Sequence, residues 1–294
     1  MSGATESVGR KIAGAQGLKA VVRSMKALAA SSIGQYERAV EALDDYYRTV
    51  ELGLSACLKI ESTPFAASRE PAANAIGAIV FGSDQGLVGR FNEVILEFAM
   101  RTLGAVPGKI TKIWGVGDRI YELLTDAGLP APGVLSVPNS VAAIAPLVGD
   151  ILIAVEAARE HGDVREVYLF HNHPKSAAVY EPVAKRLLPL DSLWQRELAA
   201  LPWPTKNLPE VIEGATTALA ALIREYLFVL LFQACAESLA SENASRLAAM
   251  QRAEQNIAEI LEVLKRTFHR VRQEAIDEEL FEVIAGYESL SQHR

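Results

Sequence analysis

The sequence predicts an α/β protein in which a long antiparallel coiled coil of N- and C-terminal helices carries an inserted Rossmann-like α/β domain. Three observations support this fold class: a seven-residue apolar repeat near the N-terminus, a longer one near the C-terminus, and alternating strand and helix patterns between them. They predict an N-terminal shaft helix over 1–62, an α/β domain over 75–200 and a C-terminal shaft helix over 207–290.

The N-terminal helix is predicted from a stretch without proline between Ala4 and Lys59. Apolar residues recur along it every seven positions, which is the pattern of a coiled-coil seam. The first series is Val8, Ala15, Val22, Ala29, Tyr36, Leu43, Val50 and Cys57, and the second is mainly Ile12, Ile33, Val40, Tyr47 and Leu54. At about 1.5 Å per residue the helix would be about 80 Å long, too long to be covered by a domain of this size.

The C-terminal helix is predicted on the same grounds, because no proline follows Pro209 and only Gly214 and Gly286 are glycines beyond it. One sevenfold series is Ala215, Leu222, Val229, Ala236, Asn243, Met250, Ile257, Leu264 and Val271. Two helices with such seams can bury each other as an antiparallel pair. The second helix is the longer, and its last turns, "LFEVIAGYESL", are still apolar, so this tip is expected to need a partner that covers it.

The segment between the helices is punctuated by glycines and prolines. The expected strands are "AIGAIVFG", "KITKIWGVG", "GVLSVP" and "REVYLFHN", and the expected helices are "RFNEVILEFAMRTL", "DRIYELLTDAG" and residues 141–160. Strands that alternate with helices predict an open sheet with crossover helices.

Composition narrows the function classes. The chain has 294 residues, a net charge of −7 and a pI near 5.4, so there is no overall basic field for nucleic acid or an anionic membrane. Its two cysteines, Cys57 and Cys235, form no disulfide or zinc motif, which favours a reducing cytoplasmic setting. No apolar run is expected to reach the roughly 18 to 20 residues of a membrane span, so a role at a membrane would be peripheral.

A glycine-rich loop, "VFGSDQGLVGRFN" at residues 80–92, raises the question of a phosphate site. The spacing of Gly82, Gly86 and Gly89 matches neither the dinucleotide-binding nor the P-loop fingerprint. We therefore expect a tight strand-to-helix turn in which Ser83 or Asp84 supplies side-chain oxygen to free backbone amides. No cofactor is predicted.

Catalytic and metal sites are not predicted either. His171 and His173, near the end of a predicted strand, are expected to point to opposite faces as solvated side chains and not to share a metal ion. No nucleophile motif and no paired acid and base are found among the carboxylates, which are scattered along helices.

The distribution of charge along the N-terminal helix is more informative about partners. The first half of the N-terminal helix is basic, with Arg10, Lys11, Lys19, Arg23 and Lys26, although the whole chain is acidic. This stripe is either a plain solvated face or a surface that meets acidic loops of a partner.

Four motifs, distributed over the whole chain, resemble those of the gamma subunit of F-type ATP synthases. They are "KIAGAQGLKAVVRSMKALAAS" in the first helix, "SDQGLVGRFN" in the glycine loop, and "ASENASRLAAM" and "RQEAIDEELFEVIAG" in the last helix. Departures from the family pattern at Gln85, Val88, Arg90, Lys26 and Asp277 place the chain in a divergent branch, and an alternative ion-translocating F-type ATPase stays open.

The resemblance implies a central rotary shaft that couples ion-driven rotation of a membrane rotor c-ring to ATP synthesis or hydrolysis in a ring of alpha and beta subunits. It implies an epsilon subunit as a further partner, no catalytic site in this chain, and a position at the cytoplasmic face of a bacterial cell membrane. The residues expected to contact the catalytic ring are Arg23, Met25, Lys26, Arg246, Gln273 and Glu279.

Two other functions are compatible with the residue patterns. One is a nucleotide-dependent α/β enzyme with helical arms for dimerisation, which would bind a nucleotide tightly. The other is a coiled-coil scaffold without a rotary role. Neither accounts for motifs at opposite ends of the chain.

Overall fold

The computed structural model describes residues 2–60, 75–176, 179–190, 192–207, 209–211 and 214–291. The helices are α1 (Ser2–Glu41), α2 (Asp44–Ile60), α3 (Phe91–Ala105), α4 (Asp118–Asp126), α5 (Ile144–Glu160), α6 (Ser192–Ala199) and α7 (Ala215–Ser291), with a 3₁₀ turn over Val141–Ala143. The strands are β1 (Ala75–Phe81), β2 (Lys109–Val116), β3 (Val134–Leu135), β4 (Glu166–Ser176) and β5 (Val179–Leu188). The chain forms two compact units, Met1–Ala29 with Leu247–Arg294 (unit 1) and Ala30–Arg246 (unit 2).

Unit 1 is an antiparallel helix pair made from the start of α1 and the end of α7. The direction follows from two contacts: Gly9 faces Phe268, whereas Arg23, further along α1, meets Glu254, which is earlier in α7. Its core contains Val22, Met250, Ile257 and Leu261, with Ile12, Ala15, Met25, Ala249 and Ala253 packed against them. The predicted seams therefore bury each other in this unit.

The N-terminal helical segment has an interruption that its sevenfold pattern does not reveal. Helix α1 ends at Glu41 and α2 begins at Asp44, and the amide of Leu43 donates to the carbonyl of Val40, a tight i to i+3 bond. Asp44 and Asp45 occupy the first turn of α2, where carboxylates interact favourably with the positive end of the helix dipole. Residues 61–62 of the predicted helix lie outside the described residues.

The sheet of unit 2 has the strand order β3-β2-β1-β4-β5. Neighbouring strands pair in parallel except β4 and β5, which are antiparallel. The four predicted strands and the three predicted helices of this region are all present. Strand β5 and helix α6 were not predicted. Because β5 carries Pro182, its pattern does not suggest a strand, yet proline is tolerated at a sheet edge.

Alternate residues of β1 divide the interior of unit 2 between the two faces of the sheet. Ile76, Ala78 and Val80 pack with residues of α3 and α4, including Ile95, Ala99, Ile120 and Leu124. Ile79 and Phe81 belong to the other cluster, which is larger and includes residues of α2, α5 and α7. The sheet thus lies between two layers of helices, as expected for an open α/β domain.

Two helical segments are long and apolar enough by composition to cross a membrane, Val141–Glu160 and Ala215–Ala285, which differs from the expectation of no span-length apolar run. Both bury apolar residues in unit 2. Ile144, Val148 and Ile151 of α5 and Val229 and Leu231 of α7 are at most 1 % exposed. Core helices of water-soluble domains pass the same compositional test, so this finding is weak evidence for a membrane span.

Candidate functional site

Three of the predicted contact residues lie together in unit 1. The Nε atom of Arg23 donates to Oε1 of Glu254 at 2.7 Å, and Nζ of Lys26 donates to Oε2 of the same carboxylate at 2.5 Å. These two hydrogen bonds lower the pKa of Glu254 to about 2. Met25, between them in sequence, packs on the core of the helix pair. Arg23 and Lys26 therefore connect α1 with α7, and Met25 contributes to the seam.

Gln273 and Glu279 lie nearer the end of α7, and both are exposed. Glu279 lines an open groove of about 680 Å³ together with Thr5, Arg10 and Arg272, among others. Gln273 is about 30 Å along the helix from Glu254, at about 1.5 Å per residue. The structure therefore separates Gln273 and Glu279 from Arg23, Met25 and Lys26 and leaves the side chains of Gln273 and Glu279 accessible.

Arg246 is in a different environment, in unit 2. Its guanidinium donates to Oε1 of Glu242, one turn earlier in α7, at 2.6 Å, and its side chain is only 15 % exposed. Burial raises the pKa of Glu242, and the charge and hydrogen bond of Arg246 oppose that rise. One N–H group of Arg246 is thus bound to a buried carboxylate of the same helix, and the low exposure of its side chain limits the surface it can offer to a partner.

The glycine loop is closed by side-chain hydrogen bonds. The Asn92 side chain accepts from the Ser83 amide and donates to the Ser83 hydroxyl, both at 2.9 Å. Oδ1 of Asp84 accepts from the amides of Asp118 at 3.1 Å and Val137 at 3.2 Å. Asp84 does supply oxygen to free amides, as expected, but the amides belong to the start of α4 and the segment after β3. The loop therefore fastens β1 to its neighbours.

Close packing explains two glycines near this loop. A Cβ atom at Gly82 would lie 2.4 Å from Cβ of Ile120, and one at Gly117 would lie 2.6 Å from the Ser83 backbone. Gly117 also has a φ of 116°, which side-chain-bearing residues rarely adopt. These glycines allow the close approach of the loop and α4.

The expectation for the two histidines is wrong. Residues separated by one position on a strand share a face, and His171 and His173 of β4 both point to Glu237 of α7. Nε2 of His171 and Nδ1 of His173 each lie 2.8 Å from Oε2 of Glu237. His171 is buried and His173 is partly exposed. Burial alone would raise the pKa of Glu237, but the hydrogen bonds to His171 and His173 outweigh it and bring the pKa to about 2.

Comparison with known proteins identifies the family. A family model described as ATP synthase matches residues 4–290. The ATP synthase gamma chain of Syntrophus aciditrophicus is 27 % identical, covering 98 % of this chain and 99 % of the relative, and that of Dechloromonas aromatica is 26 % identical, covering 96 % and 97 %. The chain belongs to the ATP synthase gamma-chain family. The resemblance stated from the motifs is thereby confirmed.

Solved structures support the fold of this gamma chain. A chain of the Euglena gracilis mitochondrial ATP synthase, in a structure of OSCP, F1 and c-ring, covers 99 % of this chain and 95 % of its own length, with a TM-score of 0.69 and 16 % identity. A chain of the Tetrahymena thermophila mitochondrial ATP synthase central stalk and c-ring covers 79 % of this chain and 99 % of its own length, with a TM-score of 0.57 and 22 % identity.

Sequence reasoning missed the acidic partners in this gamma chain. Three carboxylates of α7 are hydrogen-bonded to a basic or imidazole side chain: Glu254, Glu242 and Glu237. Glu242 precedes Arg246 by four residues, a spacing that could have indicated the pair. Glu254 and Glu237 meet residues far away in sequence, so no local spacing could have indicated them.

Proposed function

We propose that this gamma chain is the central rotary shaft of an F-type ATP synthase. It would couple ion-driven rotation of a membrane c-ring to ATP synthesis or hydrolysis in a ring of alpha and beta subunits. The observation that carries the proposal is the family match over residues 4–290, because it includes both terminal helices as well as the α/β region. In this proposal the shaft is formed by the terminal segments predicted over 1–62 and 207–290, in which the structure places α1, α2 and α7, and the domain over 75–200 contacts the rotor.

The helix pair of unit 1 has the properties that a shaft inside a ring requires. A chain that transmits torque needs continuous backbone hydrogen bonding, and α7 is one helix of 77 residues. Its outer surface must also contact surrounding subunits. Exposed apolar side chains, which are costly on an isolated surface, occur on α1 at Leu18, Val21 and Leu28 and on α7 at Ile260 and Val263.

The end of α7 is the part of the chain that we propose to sit in an apolar sleeve of the catalytic ring. Its large exposed apolar residues are Ile276, Leu280, Phe281, Val283 and Ile284. Gln273 and Glu279, which are exposed beside them, are proposed as polar contacts to the ring. Arg23, Met25 and Lys26 would lie near its acidic loops, and Arg246 is proposed as a further contact to the ring.

Coupling would follow from asymmetry. A single chain inside a ring of repeated subunits presents a different surface to each catalytic site, so each orientation stabilises a different conformation at each site. Because such coupling is reciprocal, rotation would change nucleotide affinity and nucleotide hydrolysis would drive rotation. We propose that the chain has no catalytic site of its own, that it binds an epsilon subunit, and that it works as a peripheral protein at the cytoplasmic face of a bacterial membrane.

Co-expression with the alpha and beta subunits of the same organism tests this function. We expect affinity purification to yield one copy of this chain in a hexamer that hydrolyses ATP. A matched preparation lacking residues 273–294 should assemble less stably if the tip contacts the ring. A ring that forms and hydrolyses ATP identically without the chain would contradict the proposal.

A further inference from the structure

The cluster of His171, His173 and Glu237 has no part in the proposed shaft function. Each residue offers one ligand atom, and the three atoms lie within 4.8 Å of one another. The cluster joins the sheet of unit 2 to α7, since the histidines are on β4 and the glutamate is on the helix. A group of convergent donors on two different elements is a candidate binding site.

The donor types indicate the class of ligand. Two imidazole nitrogens and one carboxylate oxygen form a set that suits Zn²⁺ and related transition-metal ions, whereas Mg²⁺ and Ca²⁺ prefer oxygen ligands alone. We propose that His171, His173 and Glu237 bind one divalent transition-metal ion of the zinc class. Three protein ligands leave a fourth position of a tetrahedral ion for water.

The site is largely buried, but one of its three ligands is open to solvent. His171 is 8 % exposed and Glu237 is 6 % exposed, so two of the ligands are largely removed from water. The side chain of His173 is 44 % exposed and gives the site an opening to solvent. The ion can therefore enter from the side of His173.

Two hydrogen bonds support the site without using its three ligand atoms: one orients the carboxylate of Glu237, and the other holds the backbone of β4. Gln233 donates to Oε1 of Glu237 at 2.8 Å and leaves Oε2 toward the histidines. The Ser241 hydroxyl donates to the carbonyl of Asn172, between the two histidines, at 2.9 Å, which fixes β4 against α7. Such supporting contacts orient the ligands of metal sites.

The surrounding charges include a further carboxylate. Glu181 of β5 is the cross-strand partner of His173, and Nζ of Lys175 donates to it at 2.6 Å. Lys185, also on β5, interacts electrostatically with Glu237 and Glu51. Glu181 is therefore paired with Lys175, and the ion must compete with the positive charge of Lys185 for Glu237.

Binding requires a small rearrangement that limits affinity. Nitrogen and oxygen ligands of a tetrahedral zinc ion are about 3.3 Å apart, so the two 2.8 Å contacts must open by about half an ångström. An imidazole that ligates through one nitrogen carries its proton on the other. For His171 that atom is Nδ1, which is buried and has no hydrogen-bond partner among the described residues. We expect weaker binding than at a structural site with four protein ligands.

Metal titration of the full chain tests the proposal. The chain is stripped with a chelator and titrated with Zn²⁺ against a competing fluorescent indicator, with Mg²⁺ as a comparison. We expect one Zn²⁺ per chain, a rise in the thermal midpoint on adding Zn²⁺, and no binding of Mg²⁺. With Co²⁺, we expect the visible absorption of a four-coordinate ion.

Matched histidine variants localise the site. His173→Gln should weaken Zn²⁺ binding about tenfold or more and remove the rise in the thermal midpoint. His161→Gln changes an exposed histidine that directly follows α5 and is bonded to the Ala157 carbonyl of that helix, and it should leave both unchanged. Circular dichroism checks that each variant folds, and Glu237→Gln provides a second test at the buried ligand. Absence of Zn²⁺ binding to the wild type, or equal binding by the wild type and His173→Gln, would overturn the proposal.

Discussion

At the scale of single residues, two carboxylates of α7 in this gamma chain each receive two or more hydrogen-bond donors. Glu254 binds Arg23 and Lys26, and Glu237 binds Gln233 and two histidines. A carboxylate with two donors fixes more of its surroundings than an isolated surface ion pair does, because the geometry of each contact constrains the other.

The Glu254 contacts predict a dependence of stability on pH. The two hydrogen bonds lower the pKa of Glu254 from 4.5 to about 2. A carboxyl group with a lowered folded-state pKa contributes stability above its unfolded pKa and loses it as the pH falls through the folded value. We expect the wild type to be more stable than Glu254→Gln above about pH 4.5 and this advantage to disappear toward pH 2.

Urea denaturation at several pH values, followed by circular dichroism, measures this difference. Glu259→Gln is the matched control, because Glu259 is on the same helix but contacts Gln255, a neutral partner. A stability difference for Glu254→Gln that stays constant between about pH 5 and pH 3 would show that the contacts contribute nothing through the charge of Glu254.

Gly82 predicts a second effect at a single position. Gly82→Ala places a Cβ atom 2.4 Å from Cβ of Ile120 and 2.7 Å from Oδ1 of Asn92, so the loop or α4 must move. We expect a loss of about 1–3 kcal/mol in the free energy of unfolding, as is usual for overpacked sites. Gly86→Ala is the control, since no atom lies within 4 Å of its added Cβ. Fluorescence of the three tryptophans during denaturation measures both variants, and equal midpoints would contradict the packing argument.

At the scale of secondary structure, the seams were predictable and their interruptions were not. Val22, Ala29, Val229, Ala236 and Met250 are all buried, because a sevenfold apolar spacing depends only on helix geometry. The break at residues 42–43 has no proline or glycine to indicate it. The break consists of a tight turn followed by two aspartates at the start of α2. Aspartate also occurs inside helices, so its presence alone does not indicate a helix start.

The sheet likewise contains strands that the sequence pattern predicts and one that it does not. Strands β1 and β2 were predictable from apolar runs, whereas β5 depends on pairing with β4 and contains Pro182. The histidine cluster could have been suspected from the spacing of His171 and His173 on one strand face. Its third member comes from α7, and only the tertiary fold brings that residue to the strand.

Helix α7 predicts a contrast between two leucines. Leu231 is 1 % exposed and belongs to the core of unit 2, whereas Leu280 is 57 % exposed. Leu231→Ala should reduce the free energy of unfolding by about 2–5 kcal/mol, because it leaves a cavity. Leu280→Ala should change it by less than about 0.5 kcal/mol. Denaturant unfolding of the two full-length variants provides the comparison, and similar losses would contradict the assigned burial.

At the scale of the whole molecule, the proposed contacts to the ring can be separated from the fold. Gln273 and Glu279 are exposed on α7, so the double variant Gln273→Ala/Glu279→Ala should leave unit 2 folded. We expect it to weaken coupling or assembly of the complex. ATP synthesis by reconstituted complexes and the yield of purified complex are the two measurements.

The matched control for this double variant is Gln255→Ala/Glu259→Ala, which changes the same residue types on the same helix away from the tip. Losses in the tip variant alone would support a ring contact at the end of α7. Unchanged ATP synthesis and unchanged complex yield in the tip variant would remove Gln273 and Glu279 from the proposed contact set.

The composition of unit 1 from both ends of the chain has a consequence for biosynthesis. Residues 1–29 leave the ribosome before their partner in this unit, residues 247–294. The apolar seam at Ile12, Ala15 and Val22 therefore has no native partner while residues 30–246 are being made. During that interval the nascent chain presents an uncovered amphipathic helix, a surface that chaperones bind and on which aggregation begins. The helix pair of unit 1 can therefore form only after residues 247–294 have been synthesised.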